Sequence, residues 1–154
     1  MSHTTDRIEK EIVVRAPRSK VWRAITDPQQ FGAWFGCKLE GAFVPGQWTR
    51  GHITTPGFEG APMDMLVETL EPERTFAFRW PHPEDVNAPT ANDPMTRVEL
   101  TLEDAGEGTR VRVVESGFEA LPAHRRAEAI RLNDGGWAQQ LTNIERFVAE
   151  VDTP

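Results

Sequence analysis

The chain has 154 residues, no tyrosine and a single cysteine, Cys37. One thiol cannot form an internal disulfide, which fits a reducing, cytoplasmic setting. It sits in Phe35-Gly36-Cys37-Lys38-Leu39, at the start of an apolar run, where a packed thiol is the favoured reading over a nucleophile. Long apolar runs are absent too. None nears the ~20 residues that cross a bilayer, so no membrane insertion is expected. The polar stretch from Met1 to Lys10 lacks the apolar core of a signal peptide. Positive charge is scarce: 17 Lys and Arg against 24 Asp and Glu leave a formal charge of −7. That balance argues against nucleic acid, whose phosphates demand a basic face, and against a simple binder of anionic membranes. His3, His52, His82 and His124 show no metal-ligand spacing. No G-x-S-x-G, CxxC, phosphate loop or dinucleotide glycine motif occurs. No metal, no cofactor and no established catalytic motif is therefore expected, and whether the chain is an enzyme stays open.

What the chain has is tryptophan, five of them, with eight phenylalanines. Indoles are large and carry an N–H that wants a partner when buried. Five are mild evidence for a lined cavity, although core packing accounts for any one of them.

Ile8, Lys10, Ile12 and Val14 alternate with Glu9, Glu11, Val13 and Arg15, which reads as a strand. Pro17 suits the first turn of a helix, with Val21, Trp22, Ala24 and Ile25 on its apolar face as far as Asp27-Pro28. A second short helix, residues 28–35, buries Phe31, Trp34 and Phe35. From Gly36 to Gly117 the period is two. Around Val44-Pro45-Gly46-Gln47 the spacing pairs Phe43 with Trp48, Gly41 with Arg50 and Leu39 with His52. A second hairpin turns at Glu71-Pro72-Glu73-Arg74, with Met65, Val67, Thr69, Phe76, Phe78 and Trp80 on one face. A third turns at Asp104-Ala105-Gly106-Glu107. It pairs Leu102 with Thr109, Leu100 with Val111 and Val98 with Val113, and sets Glu99 against Arg112 and Thr101 against Arg110.

Residues 122–151 read as a helix with Ile130, Trp137, Leu141, Ile144, Phe147 or Val148, and Val151 in one stripe. Asn133-Asp134-Gly135-Gly136 interrupts it. Either the helix kinks there or something approaches its backbone closely. The segment 81–94 holds four prolines and no period, a lid-like or unstructured loop. The count of elements is one strand, two short helices, six strands and a long helix. An antiparallel sheet has one face to bury, and the tail helix is the partner of sufficient size. The expected fold is α+β: a curved six- to seven-stranded antiparallel sheet around the C-terminal helix, in a single domain over residues 1–154 with its core at 8–151.

Phe78-Arg79-Trp80-Pro81, Pro94-Met95-Thr96-Arg97-Val98, Glu115-Ser116-Gly117-Phe118, Leu121-Pro122, Arg125-Arg126, Asn133, Gly136-Trp137, Gln140 and Asn143-Ile144 together resemble one branch of the START-like, or SRPBCC, superfamily. That branch is the activator of Hsp90 ATPase homologue-like family. The resemblance implies a helix-grip fold with a cavity between helix and sheet. Relatives include lipid carriers, hormone receptors, polyketide cyclases and co-chaperone domains, so it implies little about activity.

Glu115 is the sharpest candidate, on the helix-facing side with Val111 and Val113 and opposite Thr96. A carboxylate there needs partners or a proton. It is either a polar anchor or acid/base in the pocket, or a strand-end group reaching solvent. Arg50 and His52 alternate with Trp48. They either face the cavity, where Arg would suit a ligand carboxylate, or are solvated. Arg79 is expected outside, paired with Glu68. Trp34, Trp80 and Trp137 are candidate walls, with Met65 and Phe78, and Asn133 or Asp134 could hydrogen-bond Glu115. His82-Pro83-Glu84-Asp85 reads as a solvated loop, and Arg125-Arg126 as an outer helix face. The candidate ligand-binding set is thus Trp34, Trp48, Arg50, His52, Met65, Phe78, Trp80, Glu115, Asn133 and Trp137.

The leading reading is a binder of a small apolar or amphipathic ligand. An alternative is a cyclase- or hydrolase-type enzyme using Glu115 with His52 or Asp134. Another is a chaperone-related interaction domain, for which an exposed apolar patch is expected. A homodimer is compatible with each.

Overall fold

A computed structural model describes residues 7–85 and 88–151. The N-terminal residues before Arg7, and two residues of the proline-rich 81–94 loop, lie outside the described residues. Seven strands form one antiparallel sheet: β1 (Ile8–Val14), β2 (Cys37–Glu40), β3 (Trp48–Ile53), β4 (Pro62–Glu71), β5 (Thr75–Pro81), β6 (Met95–Ala105) and β7 (Gly108–Ser116). Their order is β1-β7-β6-β5-β4-β3-β2. Helices α1 (Arg18–Thr26) and α2 (Pro28–Phe35) follow β1, and α3 (Ala123–Glu150) is the last element among the described residues. This is the helix-grip architecture.

Local chemistry sets the joints. The Asp27 carboxylate accepts from the backbone N–H of Gln29 at 2.9 Å and of Gln30 at 3.2 Å. With Pro28 at the first helical position, it ends α1 and starts α2 within one residue. Gly36, at φ 96°, terminates α2 in the left-handed region that glycine enters without strain. Thr109 donates from its hydroxyl to the Ala16 carbonyl at 2.7 Å, tying β7 to the start of α1.

The tail helix buries Trp137, Leu141, Ile144 and Val148, the expected stripe. They belong to one buried core with Met65, Val67, Phe76, Phe78, Val98, Leu100, Val111 and Val113 from the sheet. Of the two expectations at Gly135-Gly136, the close approach is corrected. α3 continues through the pair, and a Cβ added at either glycine would meet no atom within 4 Å. The glycines face open space.

Two hairpin registers differ from the spacing argument. In β6–β7, Leu102 pairs with Val111, Leu100 with Val113 and Val98 with Glu115, closing on Gly106-Glu107 between Ala105 and Gly108. The shift is two residues, so every side chain keeps its face. The partners change: Glu103 lies opposite Arg110 and bonds to it at 2.6 Å, while Arg112 reaches Glu9 of β1 at 2.7 Å. In β2–β3 the shift is one residue, with Lys38 opposite His52, Leu39 opposite Gly51 and Glu40 opposite Arg50. An odd shift reverses faces, so Thr49 is buried while Trp48, Arg50 and His52 point to solvent. Gly51 permits this pairing, because a Cβ there would collide with the Lys38 carbonyl. A bulge between Val67 and Thr69 sets Leu70 opposite Phe76 and Thr69 opposite Ala77, so Thr69 leaves the face expected for it.

Candidate functional site

Glu115 is the third member of an inward alternation with Val111 and Val113, and it is fully buried. An unpaired carboxylate in such a place costs several kcal/mol. Here five side chains surround it. Oε1 accepts from Trp137 Nε1 at 2.9 Å and from Asn133 Nδ2 at 3.0 Å. Oε2 accepts from the Thr96 hydroxyl at 2.6 Å, from Trp80 Nε1 at 2.9 Å and from Asn133 Nδ2 at 3.1 Å. His82 Nε2 stands 3.4 Å from Oε2. These donors come from α3, β5, β6 and the segment after β5, so one carboxylate ties the long helix to the middle of the sheet.

Proton logic fixes the orientations. A carboxylate only accepts, so the amide of Asn133 presents its nitrogen to Glu115 and leaves its carbonyl oxygen on the far side. The Thr96 hydroxyl spends its one proton on Glu115. His82 Nε2, 2.7 Å from that oxygen, must then donate to it. Burial pushes the Glu115 carboxyl up, but the bonds from His82, Thr96, Trp80 and Trp137 outweigh it and hold the group below the usual carboxylate range. Glu115 is an anion satisfied by its donors, not a poised acid.

The two indoles that serve Glu115 stack on each other, with centroids 5.8 Å apart and planes 26° apart. Phe35 of α2 lies against both, at 5.9 Å from Trp80 and 6.5 Å from Trp137. Beside this cluster opens a cleft of about 550 Å³. Phe35, Ile53, Phe58, Met63, Trp80 and Asn133 line it, together with Pro62, Pro81, Pro83 and Pro89. Arg125 holds the rim: its guanidinium donates to the carbonyls of His82 at 3.0 Å and Pro83 at 3.2 Å. Arg126 donates to the carbonyls of Phe118, Glu119 and Leu121. The expectation that this Arg pair lies on an outer face is therefore corrected: both side chains secure loops to the start of α3. A depression of about 620 Å³ runs along α2 and β2 past Asp27, Gln29 and Lys38. It is lined by helix-cap and edge-strand residues and does not touch the Glu115 cluster.

Of the residues singled out from sequence, Trp80 and Asn133 line the 550 Å³ cleft, and Glu115 and Trp137 stand directly behind them. Met65 and Phe78 are fully buried core residues. Trp34 is a core indole whose N–H donates to the Ala24 carbonyl at 2.8 Å. Trp48, Arg50 and His52 lie on the outer face, where the Arg50 guanidinium sits 4.7 Å over the Trp48 ring and pairs with Asp64 at 3.4 Å. The cavity-facing alternative for Arg50 and His52 thus fails on the one-residue register. Asp134 turns to Lys10 at 3.4 Å. Arg79 pairs with Glu68 at 2.9 Å on the outer face, as expected. Cys37 is buried, and burial pushes its thiol up to about 12, which leaves no thiolate for nucleophilic work at neutral pH.

His82 was missed. Read as a solvated loop residue, it is half-buried, bonded to Thr96 and set edge-on to Phe118 at 5.9 Å. The signal was available, since Phe78, Trp80 and His82 continue the inward period of two past the formal end of β5.

The sequence model of the activator of Hsp90 ATPase homolog 1-like proteins matches residues 15–149. The chain belongs to that family. Among solved structures, MLL2253 from Mesorhizobium loti is 24% identical, with a TM-score of 0.75 over 96% of this chain and 99% of that one. The Aha1 dimer from Colwellia psychrerythraea is 20% identical, with a TM-score of 0.71 over 96% and 98%. DynU16, from the dynemicin biosynthetic locus, is 24% identical with a TM-score of 0.71; the match covers 94% of this chain and 48% of DynU16, so the chain spans about half its length. At these identities the likeness is one of fold. No curated protein matches the chain in sequence.

Proposed function

We propose that this family member binds a small apolar or amphipathic molecule in the cleft beside Trp80 and Asn133. The observation that carries the reading is the combination of a 550 Å³ concavity with mostly apolar walls and a rigid wall behind it. A cleft of this size suits a drug-sized ligand. Glu115 holds the Trp80 and Trp137 rings in place before any ligand arrives, which lowers the ordering cost of binding.

The acid/base alternative finds less support. His52 and Asp134, its proposed partners, point away from Glu115, and Glu115 is enclosed on all sides. Nor do the exposed large apolar residues favour the chaperone-related alternative. Val13, Val44, Trp48, Phe58 and Leu132 are spread over β1, the β2–β3 connection, the start of β3, the β3–β4 loop and α3.

The test is titration of the protein with a library of neutral aromatic and aliphatic compounds, read by tryptophan fluorescence and native mass spectrometry. A saturable 1:1 complex is expected, and Phe58→Asp at the rim of the cleft should weaken it. Binding that Phe58→Asp leaves unchanged, or no binding across the library, overturns the reading.

A further inference from the structure

The cleft is unevenly equipped. Among its described lining residues there is no Lys, Arg or His. The side-chain donors that do line it are turned elsewhere. The Trp80 indole N–H goes to Glu115 and Thr96, the Asn133 amide nitrogen to Glu115, and the Thr55 hydroxyl to the Gly36 carbonyl at 3.3 Å. Four of the lining residues are prolines, which have no N–H, and the backbone N–H groups of Ile53, Phe58 and Ala61 are bonded to carbonyls. Neither neighbouring guanidinium lines it: Arg125 places its Nη2 on two rim carbonyls, and Arg50 pairs with Asp64 on the outer face. Acceptors, by contrast, remain. The Asn133 carbonyl oxygen is the free end of an amide whose orientation Glu115 dictates. Negative charge is also close: Glu115 lies one side chain behind Asn133, while Asp64, which lines the cleft, is paired with Arg50.

We propose, taking the cleft to be the binding site, that its ligands carry a hydrogen-bond-donating polar end, an alcohol or an amine, and that it refuses carboxylates. A carboxylate entering an apolar cleft must shed water and needs a cation or several donors in exchange. The lining supplies neither, and the Glu115 carboxylate behind Asn133 repels the ligand. A donor meets the Asn133 oxygen. An ammonium gains in addition from the rings of Phe35, Phe58 and Trp80, which attract cations over their faces. Fatty acids and aryl acids are thereby excluded, while alcohols and amines of the same skeleton are admitted.

Isothermal titration with 4-phenylbutan-1-ol, 4-phenylbutan-1-amine and 4-phenylbutanoate at pH 7 separates the possibilities, because the skeleton is constant. The alcohol and amine should bind at least about tenfold more tightly than the acid, a gap of about 1.4 kcal/mol. Thr55→Lys, which adds a cation at the rim, should raise the acid's affinity and lower the amine's. If the acid binds as well as the alcohol, the ligand class is wrong while the cleft still stands as a binding site. If none of the three binds and the neutral library also fails, the binding reading falls with it. If Thr55→Lys shifts all three ligands alike, charge is not what selects.

Discussion

Around Phe31, Phe43, Phe76 and Phe78 the interior is held by rings alone, with neighbouring centroids 4.8 to 6.3 Å apart. A few ångströms on, the same layer is held by a carboxylate. Trp80 belongs to both regions: its ring sits edge-on to Phe78 at 5.2 Å, and its N–H serves Glu115. The phenylalanine region is non-directional, so many apolar side chains of similar volume would fill it. The Glu115 region is directional. It specifies which way two indoles, an amide and an imidazole must point, and the cleft opens at that end. A binding wall needs fixed orientation more than it needs bulk.

The comparison breaks most sharply on Glu115→Ala. That change strands the Trp137 N–H and the Asn133 amide in a dry site, leaves Trp80 only its bond to Thr96, and should cost about 3–5 kcal/mol in urea denaturation. Phe78→Ala should cost a similar amount, about 3–5 kcal/mol, through cavity formation. If Glu115→Ala costs under about 1 kcal/mol, the directional account of this region is wrong.

Acid separates the two regions where neutral pH does not. Glu115 titrates lower in the folded chain than the ordinary glutamate value of about 4.5. The stability it supplies is therefore complete above the unfolded value and is lost as pH falls through the folded one. Glu115→Gln, which sets new N–H groups against existing donors, should cost about 2–3 kcal/mol at pH 7. Its deficit relative to wild type should shrink as pH drops below 4.5, whereas the Phe78→Ala deficit stays level. Denaturation midpoints between pH 3 and 7 would show parallel curves for both variants if Glu115 were not charged in the fold.

Smaller effects sharpen the picture. His82→Ala removes one donor to Thr96 and should cost about 1 kcal/mol, with ligand affinity falling because the rim at Pro81 and Pro83 loosens. Gly135→Ala has room for its methyl group and should stabilise by about 0.5–1 kcal/mol through helix propensity. A destabilised Gly135→Ala variant would mean that the open space beside this glycine is occupied in solution.

Much of this was legible in the sequence, and the limits have physical causes. The long stripe on α3 and the alternation of β1, β6 and β7 report burial directly, so the architecture could be read from them. For β6–β7 the hydrophobic pattern fixed the parity and therefore the faces, but a pattern of period two cannot distinguish registers two residues apart. That choice fell to the two-residue turn at Gly106-Glu107. For β2–β3 the pattern was too short. β2 ends at Glu40, and residues 41–47 form a loop pinned by Gly46 to Val67 and by the Thr49 hydroxyl to Ala42. Phe43 is buried from that loop rather than from a strand. Arg50 and His52 were consequently left open in the sequence. Glu115 stood out because a charge occupied an inward position. Its full set of donors could not be deduced, since they lie up to 35 positions away from it in the chain.

The lone thiol offers a practical consequence. At neutral pH Cys37 is both shielded and almost wholly protonated in the native fold, so a thiol reagent can modify it only when the corner between α2 and β2 swings open. With no second sulfhydryl to confuse the signal, the modification rate serves as a built-in clock for that opening. Comparing it with the global unfolding rate would reveal whether this corner breathes independently of the rest of the molecule.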